Sequence, residues 1–308
     1  MIKVSIVIPC YNSADFIDRS LQSAFEQTYE DIEVICINDG SEDSTLEKLE
    51  QWRLKMPELT IIDQGNRGAT AARNAGTKSA SGHYIQYLDS DDSIGEEKIR
   101  TQVEKAIRSG EPDLVIGAYR SIREKKIEIR SQGKPSDSVW LKLMNADLGI
   151  TSSNLFKRST VLKAGSWDES LKSSQEYDLM FRILKLNESY IFSPEVDTNI
   201  YPRGSGSITS SNQGENWIRY TDLRISIRDH ILENDIQVDK EQMNQILFDT
   251  FRMLYSYYPQ KAMRCVEEYL PQEFKPSRSQ VTGASYISLY KILGFNKTEK
   301  IKSLLRSV

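Results

Sequence analysis

The chain has 308 residues, of which 39% are hydrophobic and 27% are charged, and its formal net charge is −4 at pH 7. This composition is typical of a globular protein and gives no general attraction to nucleic acid. No stretch approaches the about 20 apolar residues of a membrane-spanning helix, and the start of the chain lacks a signal-peptide pattern, so we expect a cytoplasmic protein.

The first ninety residues alternate between short apolar strands and helices of amphipathic spacing. A polar turn follows each strand, and Asn12 or Ser13 is the expected N-cap of the first helix. The predicted strands are 4–8, 32–37, 59–62 and 83–88. Strands that alternate with helices predict an α/β fold with a parallel, Rossmann-like sheet and right-handed crossovers.

An acidic turn, Leu88-Asp89-Ser90-Asp91-Asp92, directly follows the fourth predicted strand. Ligands of open α/β sheets bind at the carboxyl ends of the strands. Three carboxylates within four positions repel one another unless a cation or hydrogen-bond donors offset the charge, and Mg²⁺ commonly takes one or two carboxylates. The alternative is a solvated turn that caps the next helix.

Two further polar residues occupy positions where a nucleotide could be bound. Asp39 can accept the imide N–H of a uracil ring, while Gly40 allows close approach of the backbone and Ser41 caps the next helix. The same residues could form only an Asx turn and an N-cap. Arg73 follows a glycine loop and could contact a base carbonyl or a phosphate, or simply lie on the surface.

Five segments resemble, in order and spacing, the successive signatures of family 2 glycosyltransferases. They are Pro9-Cys10-Tyr11-Asn12, Asn38-Asp39-Gly40-Ser41, Asn66-Arg67-Gly68, Ala72-Arg73-Asn74-Ala75-Gly76 and the acidic turn Leu88-Asp89-Ser90-Asp91-Asp92. The resemblance implies a GT-A fold that binds a nucleoside diphosphate sugar, usually a UDP-sugar. It also implies a divalent metal ion, Mg²⁺ or Mn²⁺, and a glycan or lipid-linked glycan as acceptor.

The same resemblance implies individual roles for several residues. The residues implied for the nucleoside site are Pro9, Tyr11, Asp39 and Arg73. Asp89 would face the ribose or the donor sugar, and Asp91 would bind the metal that bridges the diphosphate, with Asp89 as a candidate second ligand.

Residues 174–179 resemble the segment in which the family places its general base. Glu176 and Asp178 are about 200° apart on a helix, so they cannot both point into one site. Glu176 matches the position of the base, and Asp178 is expected to pair with Arg182 at i, i+4. The usual residue is Asp, so the extra methylene of Glu176 keeps open a non-catalytic, sugar-nucleotide-binding subunit. A nucleotidyltransferase is disfavoured, because residues 9–13 do not resemble a glycine-rich triphosphate loop.

Two residues are candidates for contacts with the acceptor or with phosphate. Trp167 lies in a segment similar to the family's Gly-x-Phe-Asp-Glu turn and could stack on a sugar or belong to the core. Arg203, flanked by glycine, could contact phosphate or be an ordinary loop residue. Residues 120–136 are charged and polar and predict an exposed hairpin or loop.

The composition changes near residue 213, so we expect a GT-A domain at 1–212 and a helical region at 213–308. The predicted helices are 216–232, 241–257, 261–270, 285–293 and 298–308, with a break at Gly294. The last of them is basic and amphipathic, which suits contact with an anionic membrane surface or packing on its own domain. The role of this region and the existence of a homo-oligomer are left open.

Overall fold

The computed structural model describes residues 1–123, 126–130, 138–202 and 212–306, and the chain divides into two compact units. The first, which we call the sheet unit, comprises Met1–Ser136 and Ala146–Gly204. The second, the helical unit, comprises Asp137–Asn145 and Ser205–Val308. The segment Asp137–Asn145 thus belongs with the helices, although it precedes residue 212 in the chain.

The sheet unit contains two sheets. Its strands are β1 (Val4–Cys10), β2 (Ile32–Asp39), β3 (Thr60–Gln64), β4 (Tyr84–Tyr87), β5 (Ser93–Ile94), β6 (Leu114–Gly117), β7 (Tyr119–Arg123), β8 (Lys126–Arg130), β9 (Leu155–Lys157), β10 (Tyr190–Ser193) and β11 (Thr198–Ile200). The main sheet has the order β10-β6-β9-β4-β1-β2-β3, and β9 runs antiparallel to both of its neighbours. The first four strands are parallel, as predicted.

Strand β1 lies near the middle of the main sheet, where its apolar run is buried on both faces. Val4, Ile6, Val7 and Ile8 are inaccessible to solvent. A continuous apolar run suits this position, because helices cover both faces of such a sheet. The hydrophobic pattern therefore accounts for the place of β1 in the fold.

The helices of the sheet unit occupy the intervals between strands. They are α1 (Ile17–Phe25), α2 (Thr45–Lys55), α3 (Ala69–Ser79), α4 (Lys98–Arg108), α6 (Arg158–Lys163) and α7 (Gln175–Asn187). The predicted caps of the first two are wrong, since Phe16 is the N-cap of α1 and Ser44 that of α2. The Ser41 hydroxyl instead accepts a hydrogen bond from the Asn12 N–H, so it joins the loops after β1 and β2.

A smaller sheet has the order β5-β11-β7-β8, in which β7 and β8 form an antiparallel hairpin. For residues 120–136 the sequence left a hairpin or a loop open, and the described part of this segment forms the hairpin. Residues 131–137 lie outside the described part of the chain.

The helical unit contains α5 (Val139–Met144), α8 (Gln213–Glu233), α9 (Lys240–Tyr255), α10 (Pro259–Tyr269) and α11 (Ala284–Arg306). The helix α11 is interrupted at Gly294, where φ is +70°, a conformation that glycine adopts without steric cost. The predicted helices are confirmed as far as residue 306, and so is the predicted break. Among the residues that the structure describes, no helix combines the length and the apolar character needed to cross a bilayer.

Candidate functional site

The carboxyl ends of β1, β2 and β4 meet at one edge of the main sheet. Cys10 lies opposite Asn38 in the ladder between β1 and β2, and Val7 lies opposite Tyr87 in the ladder between β1 and β4. The polar segments that follow these strands are therefore brought together. We call this region the carboxyl edge, and Pro9 and the exposed side chain of Tyr11 are part of it.

Asp39 is the last residue of β2, and its buried carboxylate holds the loop before α3. Oδ1 accepts hydrogen bonds from the Arg67 N–H at 3.0 Å and from the Gln64 amide at 2.8 Å, and Oδ2 accepts from the Gly68 N–H at 2.8 Å. A carboxylate oxygen can accept two hydrogen bonds. Oδ2 therefore keeps capacity for one more donor, and recognition of an imide N–H by Asp39 stays a prediction.

Gly40 allows the loop before α3 to approach the end of β2 closely. Its φ is +67°, and a Cβ atom built there would lie 2.5 Å from the backbone nitrogen of Asn66. Any side chain at this position would therefore collide with the loop that Asp39 holds.

Arg73 is buried on α3 and connects three parts of the site, so the alternative in which it lies on the surface is wrong. Its Nη2 donates to Asp89 Oδ1 at 2.7 Å, and its Nη1 donates to Gln175 Oε1 at 3.3 Å. Its guanidinium carbon lies 4.8 Å from the centroid of the Trp167 ring. Arg73 thus ties the acidic turn to the start of α7.

The helix α3 reaches this position because Gly76 lets it pack closely on the sheet. A Cβ atom at Gly76 would lie 2.3 Å from Cγ1 of Val7. Glycine one turn after Arg73 therefore allows the guanidinium to reach the end of β4.

The three carboxylates of the acidic turn differ in their surroundings. Asp89 and Asp91 are partly exposed, whereas Asp92 is buried and accepts a hydrogen bond from the Ser152 hydroxyl at 2.7 Å. Burial raises the pKa of Asp92 well above its usual range, and the nearby charges of Asp89 and Asp91 raise it further. The turn does not cap the next helix, because α4 begins only at Lys98.

Ser152 is a site residue that the sequence analysis did not single out. Its hydroxyl oxygen also accepts the backbone N–H of Asp89 at 3.1 Å, so one side chain holds two members of the acidic turn. The backbone carbonyl of Ser152 accepts from the Gln86 amide at 2.9 Å. Gln86 in turn accepts from the ammonium of Lys98, whose burial lowers its pKa to about 7.

Arg19 supports the acidic turn from α1. Its guanidinium donates to the backbone carbonyl of Asp91 and stacks on the ring of Tyr201 at 3.6 Å from the ring centroid. The backbone of Asp91 is thus fixed while its carboxylate stays partly exposed. No sequence signal distinguishes Arg19 from other arginines of amphipathic helices.

The two acidic residues of the first turn of α7 have different environments. Asp178 accepts hydrogen bonds from Arg182 Nε at 2.9 Å and Nη2 at 2.7 Å, which confirms the predicted ion pair. Burial raises the pKa of Glu176, the positive charge of Arg73 lowers it, and the negative charge of Asp89 raises it. The charge of Glu176 is therefore coupled to those of Arg73 and Asp89.

Trp167 belongs to the core, which confirms that alternative and excludes the one in which its ring stacks on a sugar. Its ring is 2% exposed and packs edge-to-face on Tyr87 with 5.1 Å between centroids. The side chain of Asn74 accepts a hydrogen bond from the backbone N–H of Trp167 at 2.9 Å and donates one to its backbone carbonyl at 2.9 Å. Arg203 lies outside the described residues.

Asp89 and Asp91 have the chemistry of ligands for a hard divalent cation. Mg²⁺ takes one or two carboxylates and completes its shell with waters and substrate phosphates. Within the described residues, no cluster of three or more histidine, cysteine, aspartate or glutamate side chains could hold a metal. Two carboxylates do not fill the coordination shell of such an ion, so waters or the oxygens of a bound diphosphate would have to complete it.

Comparison with known proteins relates this arrangement to one family. The family model described as glycosyl transferase family 2 matches residues 5–162. A poly(ribitol-phosphate) beta-glucosyltransferase of Bacillus spizizenii is 37% identical over 157 residues, which are 50% of this chain and 23% of that protein. The chain spans 36% and 17% of the length of two other curated relatives.

Solved structures share the architecture. TarS residues 1–349 from S. aureus, in complex with UDP-GlcNAc, superpose with a TM-score of 0.64 at 17% identity, covering 88% of this chain and 77% of that one. The mannosyltransferase PcManGT of Pyrobaculum calidifontis, in complex with GDP-Man and Mn²⁺, has a TM-score of 0.57 at 16% identity, covering 99% and 84%. The GT-A fold expected from the sequence is confirmed.

Proposed function

Because this chain belongs to glycosyl transferase family 2, we propose that it transfers a sugar from a nucleoside diphosphate sugar to a hydroxyl of a glycan or lipid-linked glycan. A UDP-sugar is the first candidate for the donor, since a structure of similar fold binds UDP-GlcNAc. The observation that carries the proposal is the position of Arg73, which contacts Asp89 directly and influences the pKa of Glu176. One cation thus connects the proposed donor site and the proposed base.

We propose inversion in a single displacement, with Glu176 as the general base. A base at this point has to take the proton of the acceptor hydroxyl, on the face of the anomeric carbon opposite the leaving diphosphate. Burial raises the pKa of Glu176, which makes it a stronger base than a solvated glutamate. Asp178 is held by Arg182 and has a structural role.

Asp89 and Asp91 would hold a Mg²⁺ or Mn²⁺ ion together with the diphosphate. The bound metal would act as a Lewis acid that offsets the charge of the departing diphosphate. Asp92 is unsuited to this role, because it is buried and engaged by Ser152. Arg73 would keep Asp89 in a fixed orientation.

Contact of α11 with an anionic membrane surface remains part of the proposal. The part of α11 that follows Gly294 carries the exposed apolar residue Leu304 and the exposed Lys297 and Lys300. Exposed apolar and basic side chains on one helix favour binding to an anionic bilayer.

The test measures nucleotide binding and donor turnover separately. UDP and GDP binding are measured by calorimetry with and without Mn²⁺, and UDP release from a panel of UDP-sugars is followed with glycan acceptors. We expect Asp91→Asn to abolish metal-dependent binding. We expect Glu176→Gln to bind UDP normally and to lose about 10²–10⁴-fold in turnover.

Asp178→Asn is the matched control, because it alters the neighbouring carboxylate on the same turn. It should retain most of the turnover. A native protein that binds UDP with metal but consumes no donor supports the alternative of a binding subunit. If the native protein prefers GDP, the donor is a GDP-sugar instead of a UDP-sugar. If it binds neither nucleotide, the proposal is contradicted.

A further inference from the structure

The helical unit contains a cavity of about 1110 Å³, and none of the residues assigned to the proposed reaction lines it. Its walls are formed by α8, α9 and residues 271–281, together with Asn145 after α5. Cavities of this size are the usual places where proteins bind small molecules and short polymer segments.

One wall of the cavity is held rigidly by Gln245 of α9. Its buried amide oxygen accepts hydrogen bonds from the Ser277 N–H at 2.7 Å and the Ser277 hydroxyl at 3.1 Å. Its amide nitrogen donates to Asp249 at 3.1 Å, and Asp249 also accepts from the Thr282 hydroxyl at 2.6 Å. The segment 271–281 is thus fastened to α9, and a preformed wall reduces the entropy that a ligand must lose on binding.

The lining mixes polar and apolar side chains and is nearly balanced in charge. It includes three basic and four acidic side chains, and five amide side chains, among them Asn145, Gln242 and Asn244. An excess of one sign would attract a polymer of the opposite charge. The near balance therefore favours a neutral ligand, and amides suit hydroxyl groups because they both donate and accept hydrogen bonds.

Trp217 adds an aromatic surface beside these amide side chains. It is partly exposed on α8, and its ring packs edge-to-face with that of Tyr220 at 5.5 Å between centroids. An indole presents an apolar face and one polar N–H. The apolar C–H face of a pyranose matches the indole, while the hydroxyls at its rim match the amides.

We propose that this cavity binds a neutral oligosaccharide segment, with Trp217 as the stacking platform. Its use as a subsite for the acceptor rests on the proposed function. The binding itself does not, because it needs neither donor nor metal.

The test measures oligosaccharide binding to the full chain without nucleotide or metal. Maltohexaose and chitohexaose serve as neutral probes and hexagalacturonate as an anionic probe, followed by calorimetry and tryptophan fluorescence. We expect a neutral probe to bind the native protein, and Trp217→Ala to raise its Kd at least tenfold. Trp217→Phe should retain most of the affinity.

Trp52→Ala is the matched control, since Trp52 is a partly exposed tryptophan of the sheet unit. It should leave oligosaccharide binding unchanged. Asn244→Ala is a second variant in the cavity wall and should raise the Kd severalfold. UDP binding by Trp217→Ala should equal that of the native protein, so failure of the nucleotide proposal and failure of this one are distinguishable.

Three results would overturn the proposal. The first is that neither neutral probe binds the native protein at millimolar concentration. The second is that Trp217→Ala and Asn244→Ala, both folded by circular dichroism, bind as the native protein does. The third is that hexagalacturonate binds at least tenfold more tightly than both neutral probes.

Discussion

Each of the two units contains a buried arginine paired with a carboxylate, and the two pairs differ in what surrounds them. Arg73 and Asp89 of the sheet unit are 2.7 Å apart, and Arg252 and Glu299 of the helical unit are 2.6 Å apart. Both arginine side chains are buried, at 8% and 4% exposure. The carboxylates differ, because Asp89 is 36% exposed and Glu299 only 6%.

The remaining donors of the two arginines show the same difference. Arg252 also donates to the Val281 carbonyl at 2.7 Å and to the Thr282 hydroxyl at 2.8 Å, and it stacks on Tyr286. Among the described residues, Nε of Arg73 has no hydrogen-bond partner. The carboxylate of Glu299 is thus enclosed by the protein, whereas that of Asp89 remains partly exposed. We call Arg252 and Glu299 the complete pair and Arg73 and Asp89 the open pair.

The largest expected effect comes from breaking the complete pair. Arg252→Met would leave the carboxylate of Glu299 buried without its cation, and we expect a loss of about 3–5 kcal/mol in the free energy of unfolding. Urea denaturation measures the change. The double variant Arg252→Met/Glu299→Leu should recover much of the loss, since it removes the buried charge. A loss below about 1 kcal/mol in the single variant would show that Glu299 is not buried.

Breaking the open pair should affect binding more than stability. In Arg73→Met, water can solvate the partly exposed carboxylate of Asp89, so we expect at most about 1 kcal/mol of lost stability. If Asp89 belongs to the donor site, the affinity for UDP with Mn²⁺ should fall at least about tenfold, or 1.4 kcal/mol. Calorimetry measures the affinity.

Arg182→Met is the control for this prediction, because Arg182 pairs with Asp178 through the same chemistry outside the carboxyl edge. Its UDP affinity should stay within twofold of the native value. Equal losses of affinity in Arg73→Met and Arg182→Met would argue against a special role for the open pair.

The sequence predicts those features of the two units that depend on residues close together in the chain. The apolar run of β1 and the spacing of α9 have regular periods, so both elements could be located without the structure. The acidic turn could be placed at a sheet edge because parallel strands end at the same side. Arg73 in isolation resembles a surface residue, and only its place among the family signatures pointed to the site.

Contacts between distant segments could not be predicted in this way. Ser152 contacts Asp92 across 60 positions of sequence, and it does so because β9 inserts antiparallel beside β4. The hydrogen bonds between Gln245 and Ser277 likewise connect a helix with an irregular segment. Neither contact leaves a periodic pattern, since each depends on tertiary packing.

The pKa of Glu176, which the charges of the open pair influence, should determine the pH dependence of the reaction. Burial raises the pKa of Glu176 above its usual value near 4.5. A base works only when deprotonated, so the rate should fall about tenfold per pH unit below this raised pKa. A profile of kcat/KM against pH would locate the acid limb above pH 4.5, and Asp178→Asn should leave it in place. An acid limb at or below pH 4.5 would contradict the assignment of Glu176.

The smallest expected effect concerns the hydroxyl group that supports the open pair. Ser152→Ala removes the donor to buried Asp92 and the acceptor for the Asp89 N–H, which should cost about 1 kcal/mol of stability. Ser153→Ala is the matched control, because Ser153 is equally buried and its hydroxyl bonds instead to the backbone of Ile150.

The two variants should lose similar stability but differ in metal-dependent UDP affinity. Only Ser152→Ala releases the backbone of Asp89 and the side chain of Asp92. We therefore expect only this variant to weaken the UDP affinity, by about two- to fivefold, which corresponds to at most about 1 kcal/mol. Urea denaturation and calorimetry on both variants separate the effects. If Ser153→Ala weakens the affinity to the same extent, the loop before β9 acts as a whole, and the hydroxyl of Ser152 has no special part in holding the acidic turn.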